Sequence, residues 1–200
     1  FYDVRTFGAV MPASKGEKEK KKDANDDDAA DQEGRQKAKS KTIAVTGPVQ
    51  ISFAVSVDPV IPIEMTISRM ASEDGKEGIN QTFGKKTFIS YGLYVCKIFV
   101  NPFYALKTGF SERDFDLLKL ALMEMWEIDR SSARTGVNSR MLYDFKHASK
   151  YGNAPSEKLF SSIKIRRNTD KPARSFEDYT IDMDRDAVPE NIEVIVERRT

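Results

Sequence analysis

Sulfur and imidazole chemistry are nearly missing from this chain. Its 200 residues include one cysteine, Cys96, and one histidine, His147. One thiol cannot build an internal disulfide framework, and one Cys with one His cannot complete a zinc cluster. This economy of cysteine fits a reducing compartment, the cytoplasm. Long apolar runs are scarce too. The longest, Tyr91 to Leu106, is interrupted by Lys97, Asn101 and Pro102 and is too short to span a bilayer. Neither a phosphate-loop nor a dinucleotide glycine pattern is present. The opening residues show no charged-then-apolar leader.

An excess of charge of one sign is also lacking. The net charge is +1, so the total offers no argument for a polyanionic partner. Its distribution does. From Arg134 to Lys171 nine Lys/Arg stand against three acids, and from Ser175 to Thr200 eight acids stand against three Arg. A basic arm followed by an acidic tail implies a polar field across the molecule, or else two ordinary solvated faces.

What is there reads as one domain over residues 1–200, long enough for a real core. Residues 12–42 are an exception. Lys15 to Lys22 is mostly basic, Asp23 to Glu33 mostly acidic and Arg35 to Lys41 basic again, and after Pro12 no aromatic or aliphatic residue larger than Ala occurs. Such a stretch buries too little to offset its ordering entropy, and we expect a disordered charged insertion between two strands. The Asp26–Asp28 triplet inside it lacks the rigid oxygen cage that a hard cation needs.

From Ile43 to Val57 apolar and polar residues alternate, the period of a half-buried strand, until Asp58-Pro59 ends it. Ile63 to Arg69 alternates again, Ala71 to Asn80 is polar and turn-like, and Thr87 to Val100 is β-prone. These pieces predict a hairpin over 58–90 with its tip near Glu73 to Gly78. Ser111 precedes the clearest helix, whose apolar face is expected to be Phe115, Leu118, Leu122, Met125 and Trp126. Arg140 to His147 returns to strand. Within the C-terminal strands of 156–200, Leu159 to Arg166 is expected to pair with Glu193 to Val196. Cys96, in an apolar strand, is expected to be a buried, inert thiol.

Three strings carry most of the information: Asp3-Val-Arg-Thr-Phe-Gly-Ala-Val10, Thr46-Gly-Pro-Val-Gln-Ile-Ser-Phe53 and Asp129-Arg-Ser-Ser-Ala-Arg134. None matches a catalytic or cofactor motif. With Tyr91-Gly-Leu-Tyr94, Thr108-Gly-Phe110, Met125-Trp-Glu-Ile-Asp-Arg130 and Gly152-Asn-Ala-Pro155 they resemble, in family order, the type I-C CRISPR backbone subunit. This is the RNA-coating Cas-seven protein of Cascade, in the RAMP superfamily. The resemblance covers nearly everything outside 12–42. It implies an α+β, ferredoxin-like (RRM-like) βαββαβ core whose first strand and helix precede Phe1, so that the chain is N-terminally incomplete. It also implies that the 58–90 hairpin is an inserted thumb.

The resemblance implies a non-catalytic subunit that oligomerises along a CRISPR RNA guide beside other Cascade subunits and displays the guide to target DNA, with no cofactor and no metal. Arg5, Arg69, Arg130 and Arg134 are candidates to grip phosphates with planar forks. Lys85 and Lys86 are candidates on the hairpin, and Phe7 and Phe83 are candidate apolar contacts to bases. Gly8 and Gly47, lacking Cβ, let backbone approach RNA closely. Arg130 has a structural reading as well, as a cap on the preceding helix. Two other functions stay open: an RNA-processing endoribonuclease using His147 as base, and an assembly module that contacts protein alone.

Overall fold

The period-two run from Ile43 to Val57 is cut where its sequence cannot extend a ladder. The computed structural model describes residues 1–11, 43–69 and 82–199. The 12–42 insertion, its Asp26–Asp28 triplet and the hairpin tip near 73–78 lie outside the described residues. The run divides into β2 (Ile43–Thr46), β3 (Val49–Ile51) and β4 (Val55–Ser56). The first break is Gly47-Pro48. Proline has no N–H for a ladder, and the Pro48 carbonyl instead accepts the Asn101 N–H at 2.8 Å. The architecture is α+β, with helices beside small antiparallel sheets.

The described residues fall into two compact units, Phe1–Gln50 with Val100–Ser111 and Ile51–Phe99 with Glu112–Thr200. In the first, helix α1 (Tyr2–Phe7) runs into β1 (Gly8–Met11), which pairs antiparallel with β2 from Gly8 opposite Thr46 to Met11 opposite Ile43. Helix α2 (Pro102–Thr108) is well delimited. Asn101 Oδ1 accepts the N–H groups of Phe103 and Tyr104, Pro102 opens the first turn, and Gly109 closes the last at φ 75°. Thr6 is fully buried and its hydroxyl donates to the Tyr2 carbonyl at 2.7 Å. Thr108 ties α2 to α1 by donating to the Arg5 carbonyl at 2.9 Å.

In the second unit β5 (Ile63–Arg69) and β6 (Thr82–Phe88) form a seven-rung antiparallel ladder from Ile63 opposite Phe88 to Arg69 opposite Thr82. Below it β4 pairs with β7 (Tyr94–Val95). A short strand, β8 (Ile98–Val100), follows. Helix α3 (Glu112–Ile128) packs on β9 (Met141–His147), which pairs with β12 (Ile192–Arg198). Helix α4 (Ser156–Ser161) leads to β10 (Ile163–Arg167), paired with β11 (Tyr179–Met183).

Three expectations are corrected here. Leu159 to Arg166 does not pair with Glu193 to Val196: Leu159 lies in α4, β10 pairs with β11, and β12 pairs with β9. The local partner wins because the Asn168 N–H donates to the Asp178 carbonyl at 2.8 Å, and a Ser175–Asp178 capping box turns the chain directly back. The inward face of α3 takes Met123 rather than Met125, which is 39% exposed. That face follows i, i+4 steps through Asp114, Leu118 and Leu122 and admits Lys119, whose ammonium lies 3.2 Å from Asp116 and 3.9 Å from both Asp144 and Glu197. Burial raises the Asp144 carboxyl against the pull of Lys119. Cys96 is exposed, its thiol donating to the Ser52 carbonyl at 3.3 Å.

Candidate nucleic-acid interface

Strand alternation sorts the hairpin side chains onto two faces. Phe83 and Lys85 share one face with Glu64, Thr66 and Ser68; Lys86 shares the other with Ile63, Met65 and Ile67. Phe83 is 65% exposed. Lys85 stands 3.7 Å from Glu64 with both groups well solvated, so the pair is weak. Arg69 ends β5 opposite Thr82. Lys86 differs from the rest, because its ammonium donates to the Ser132 hydroxyl in the loop that follows α3.

That loop is the Asp129–Arg134 string. Arg130 caps the helix: its Nε donates to the Glu127 carbonyl at 3.3 Å, one Nη to the Thr135 carbonyl at 3.2 Å, and the other pairs with the Glu127 carboxylate. An α-helix leaves its last carbonyls without intrahelical partners, and Arg130 satisfies one while closing the next turn. Arg134 projects further, with its guanidinium half exposed and 3.0 Å from Asp129. Lys86, Arg130 and Arg134 therefore meet on one loop.

Arg5, Phe7, Gly8 and Gly47 belong to the other unit. Arg5 is half-buried on α1 and Phe7 is exposed. The two glycines serve each other. A Cβ on Gly8 (φ 84°) would lie 2.1 Å from the Val45 carbonyl oxygen and 2.6 Å from the Gly47 nitrogen. A Cβ on Gly47 would lie 2.3 Å from the Phe7 carbonyl carbon and 2.5 Å from the Gly8 nitrogen. What the missing side chains admit here is neighbouring backbone.

His147 is held as a loop staple. Its Nδ1 accepts the Asn153 N–H at 2.8 Å, while Asn153 Oδ1 accepts the Ser149 N–H at 3.0 Å and Gly152 turns at φ 85°. In the neutral ring that bond puts the proton on Nε2, leaving no free lone pair for a base.

Two cations of the basic arm meet the acidic tail, and others meet acids elsewhere in the chain. Arg166 pairs with Asp182 at 2.9 Å, and Arg140 sits near Glu177. Lys146 pairs with Glu112 at 2.6 Å, which holds its ammonium above the usual lysine range. Sequence reasoning missed two participants, Ser132 and Asp58; neither has a pattern that announces a role. Asp58 Oδ2 accepts the Tyr179 hydroxyl at 2.7 Å.

The family model for CRISPR-associated protein Cas7 matches residues 1–184. The chain belongs to the Cas7 family. No curated protein matches it. Cas7 proteins are CRISPR-associated, serve antiviral defence, and work with CRISPR RNA and other Cas subunits. Among the described residues no helix is long and apolar enough to cross a membrane.

Proposed function

We propose that this Cas7 protein is a non-catalytic backbone subunit that binds CRISPR RNA in a cytoplasmic type I-C surveillance complex. Copies stack along the guide and leave sequence recognition of target DNA to base pairing. In this reading the 58–90 hairpin is the thumb, and the core is ferredoxin-like. The order of β8, α2, α3 and β9, with helices between strands, is compatible with that arrangement. The observation that carries the RNA reading is the contact of Lys86 with Ser132, which brings Lys86 to the loop that carries the half-exposed Arg134. Cations held near one another can track successive phosphates of a single strand.

The test is a filter-binding titration of labelled CRISPR RNA across salt concentration. Each neutralised phosphate contributes about −0.7 to the slope of log affinity against log salt. A slope indistinguishable from zero would overturn the proposal in favour of a protein-only assembly module. The endoribonuclease reading is tested in parallel with repeat RNA. We expect no cleavage by the wild type or by His147→Ala, and specific cutting lost in that variant would overturn the non-catalytic assignment.

A further inference from the structure

The hairpin stands on two legs with little backbone to stiffen them. Between the bond from the Val57 N–H to the Leu93 carbonyl and the first β5–β6 rung, Ile63 opposite Phe88, no backbone hydrogen bond joins residues 58–62 to 89–92 among the described residues. Pro59 and Pro62 bring no N–H that could form one. A segment of this kind can absorb changes in φ and ψ as a hinge.

One leg is nevertheless gripped. Asp58 Oδ2 accepts the Tyr179 hydroxyl at 2.7 Å and lies 3.6 Å from Arg167 Nη1. Tyr179 is buried, and it faces Arg167 across a single rung of the β10–β11 ladder. Both groups that hold the carboxylate thus come from one rigid rung. The hairpin's other tie, Lys86 to Ser132, uses an ammonium that a phosphate would claim.

We propose that the Asp58–Tyr179–Arg167 cluster is a positioning joint. It keeps the hairpin in place while Lys86 exchanges the Ser132 hydroxyl for an RNA phosphate. Asp58 and Tyr179 act through the hairpin and do not touch RNA. This inference rests on the RNA-binding reading above. The Tyr179 hydroxyl is pushed up to about 12 by burial and then by its bond to Asp58, so it remains a donor throughout the neutral range.

The test uses the full chain with Cys96→Ser and a spin label at Thr87→Cys, a solvated position on β6. Tyr179→Phe keeps the ring and removes only the hydroxyl. It should raise the label's mobility. It should also weaken binding of fluorescein-labelled CRISPR RNA about tenfold, as the binding-competent fraction falls to about one-tenth. The salt slope should stay unchanged, because no phosphate contact is lost, whereas Lys86→Ala should flatten it by about 0.7. Asp58→Asn, which keeps an acceptor oxygen but not the charge facing Arg167, should give a smaller change in both readouts; it carries the test if Tyr179→Phe does not fold. Unchanged mobility or unchanged affinity overturns the joint, and a flattened slope in Tyr179→Phe overturns the claim that Tyr179 stays off the RNA. Failure of the wild type to bind RNA in a salt-dependent way overturns the RNA reading instead, while label mobility still reports on the joint.

Discussion

Arg130 and Arg134 lie four residues apart, yet their guanidinium groups have different work. Arg130 has its donors turned toward Glu127 and Thr135, so Arg130→Ala should lower stability by about 1 kcal/mol, the range of a helix-terminus interaction. Arg134 meets one solvated carboxylate and can exchange it for phosphate. Arg134→Ala should weaken binding of every guide sequence alike, by about 1.5–3 kcal/mol for a charge-assisted contact, with thermal melting nearly unchanged. Binding isotherms and melting curves on both variants check the division. The assignment of Arg134 to RNA is wrong if Arg134→Ala unfolds the protein and leaves the affinity of the folded fraction intact.

Gly47 gives the opposite contrast. A Cβ there meets backbone, which cannot swing aside as a side chain can. Gly47→Ala should therefore cost about 3 kcal/mol or more, near the upper end of overpacking, and lower the melting temperature by about 5 °C or more. Were Gly47 kept small only for RNA, the substitution would leave melting untouched and weaken binding alone. Tyr179 adds a pH signature. Its hydroxyl, raised to about 12, stays protonated in the folded protein after an ordinary phenol has lost its proton near 10. The unfolded chain then binds fewer protons than the folded one, so stability falls as pH rises from about 10 to 12. Tyr179→Phe should lose that part of the slope in denaturant titrations. Tyr91 and Tyr143, raised by burial, and Lys146, raised by its bond to Glu112, contribute to the slope in the same direction and remain in that variant.

At the scale of elements, the sequence was most legible where one strong local signal acts alone. Ile63 to Arg69 alternates cleanly and is β5; the polar start and apolar periodicity after Ser111 are α3. Legibility failed where a distant partner decides. Periodicity cannot tell Met123 from Met125, because the choice depends on where β9 and β12 lie beneath the helix. Nor can it show that Leu159 belongs to a short helix, since two apolar residues beside serines read equally well as a strand. Of the candidate site, the string containing Arg130 and Arg134 stood out in the sequence, and Lys86 was a candidate only as a lysine on the hairpin. Their meeting did not, because Lys86 and Ser132 are 46 positions apart. Asp58 read only as the end of a strand, because its partner Tyr179 lies 121 positions away.

For the molecule as a whole, the number of basic residues overstates the charge on offer. Lys119, Lys146, Arg166 and Arg199 all lie within 4 Å of carboxylates. Within the basic arm, Arg166 is answered by Asp182 of the tail, and Lys146 by Glu112 of α3. Arg166→Ala should accordingly leave the salt slope of RNA binding within error, whereas a cation that contacts phosphate removes about 0.7 from it. A similar loss for Arg166→Ala would place RNA along β10 instead.

The β1–β2 ladder ends with Met11 opposite Ile43, and directly paired residues of an antiparallel ladder sit about 5 Å apart. Whatever polymer joins such neighbours pulls on neither, so this place behaves as a doorway with a fixed frame. Replacing Lys15 to Lys39 by a short Gly/Ser turn should leave melting unchanged, since closure costs about 0.6 kcal/mol per doubling of loop length; a drop of several degrees would show that the replaced stretch packs. The same frame suits a reporter domain whose own termini lie close together, giving a way to watch assembly without marking any surface argued to meet RNA.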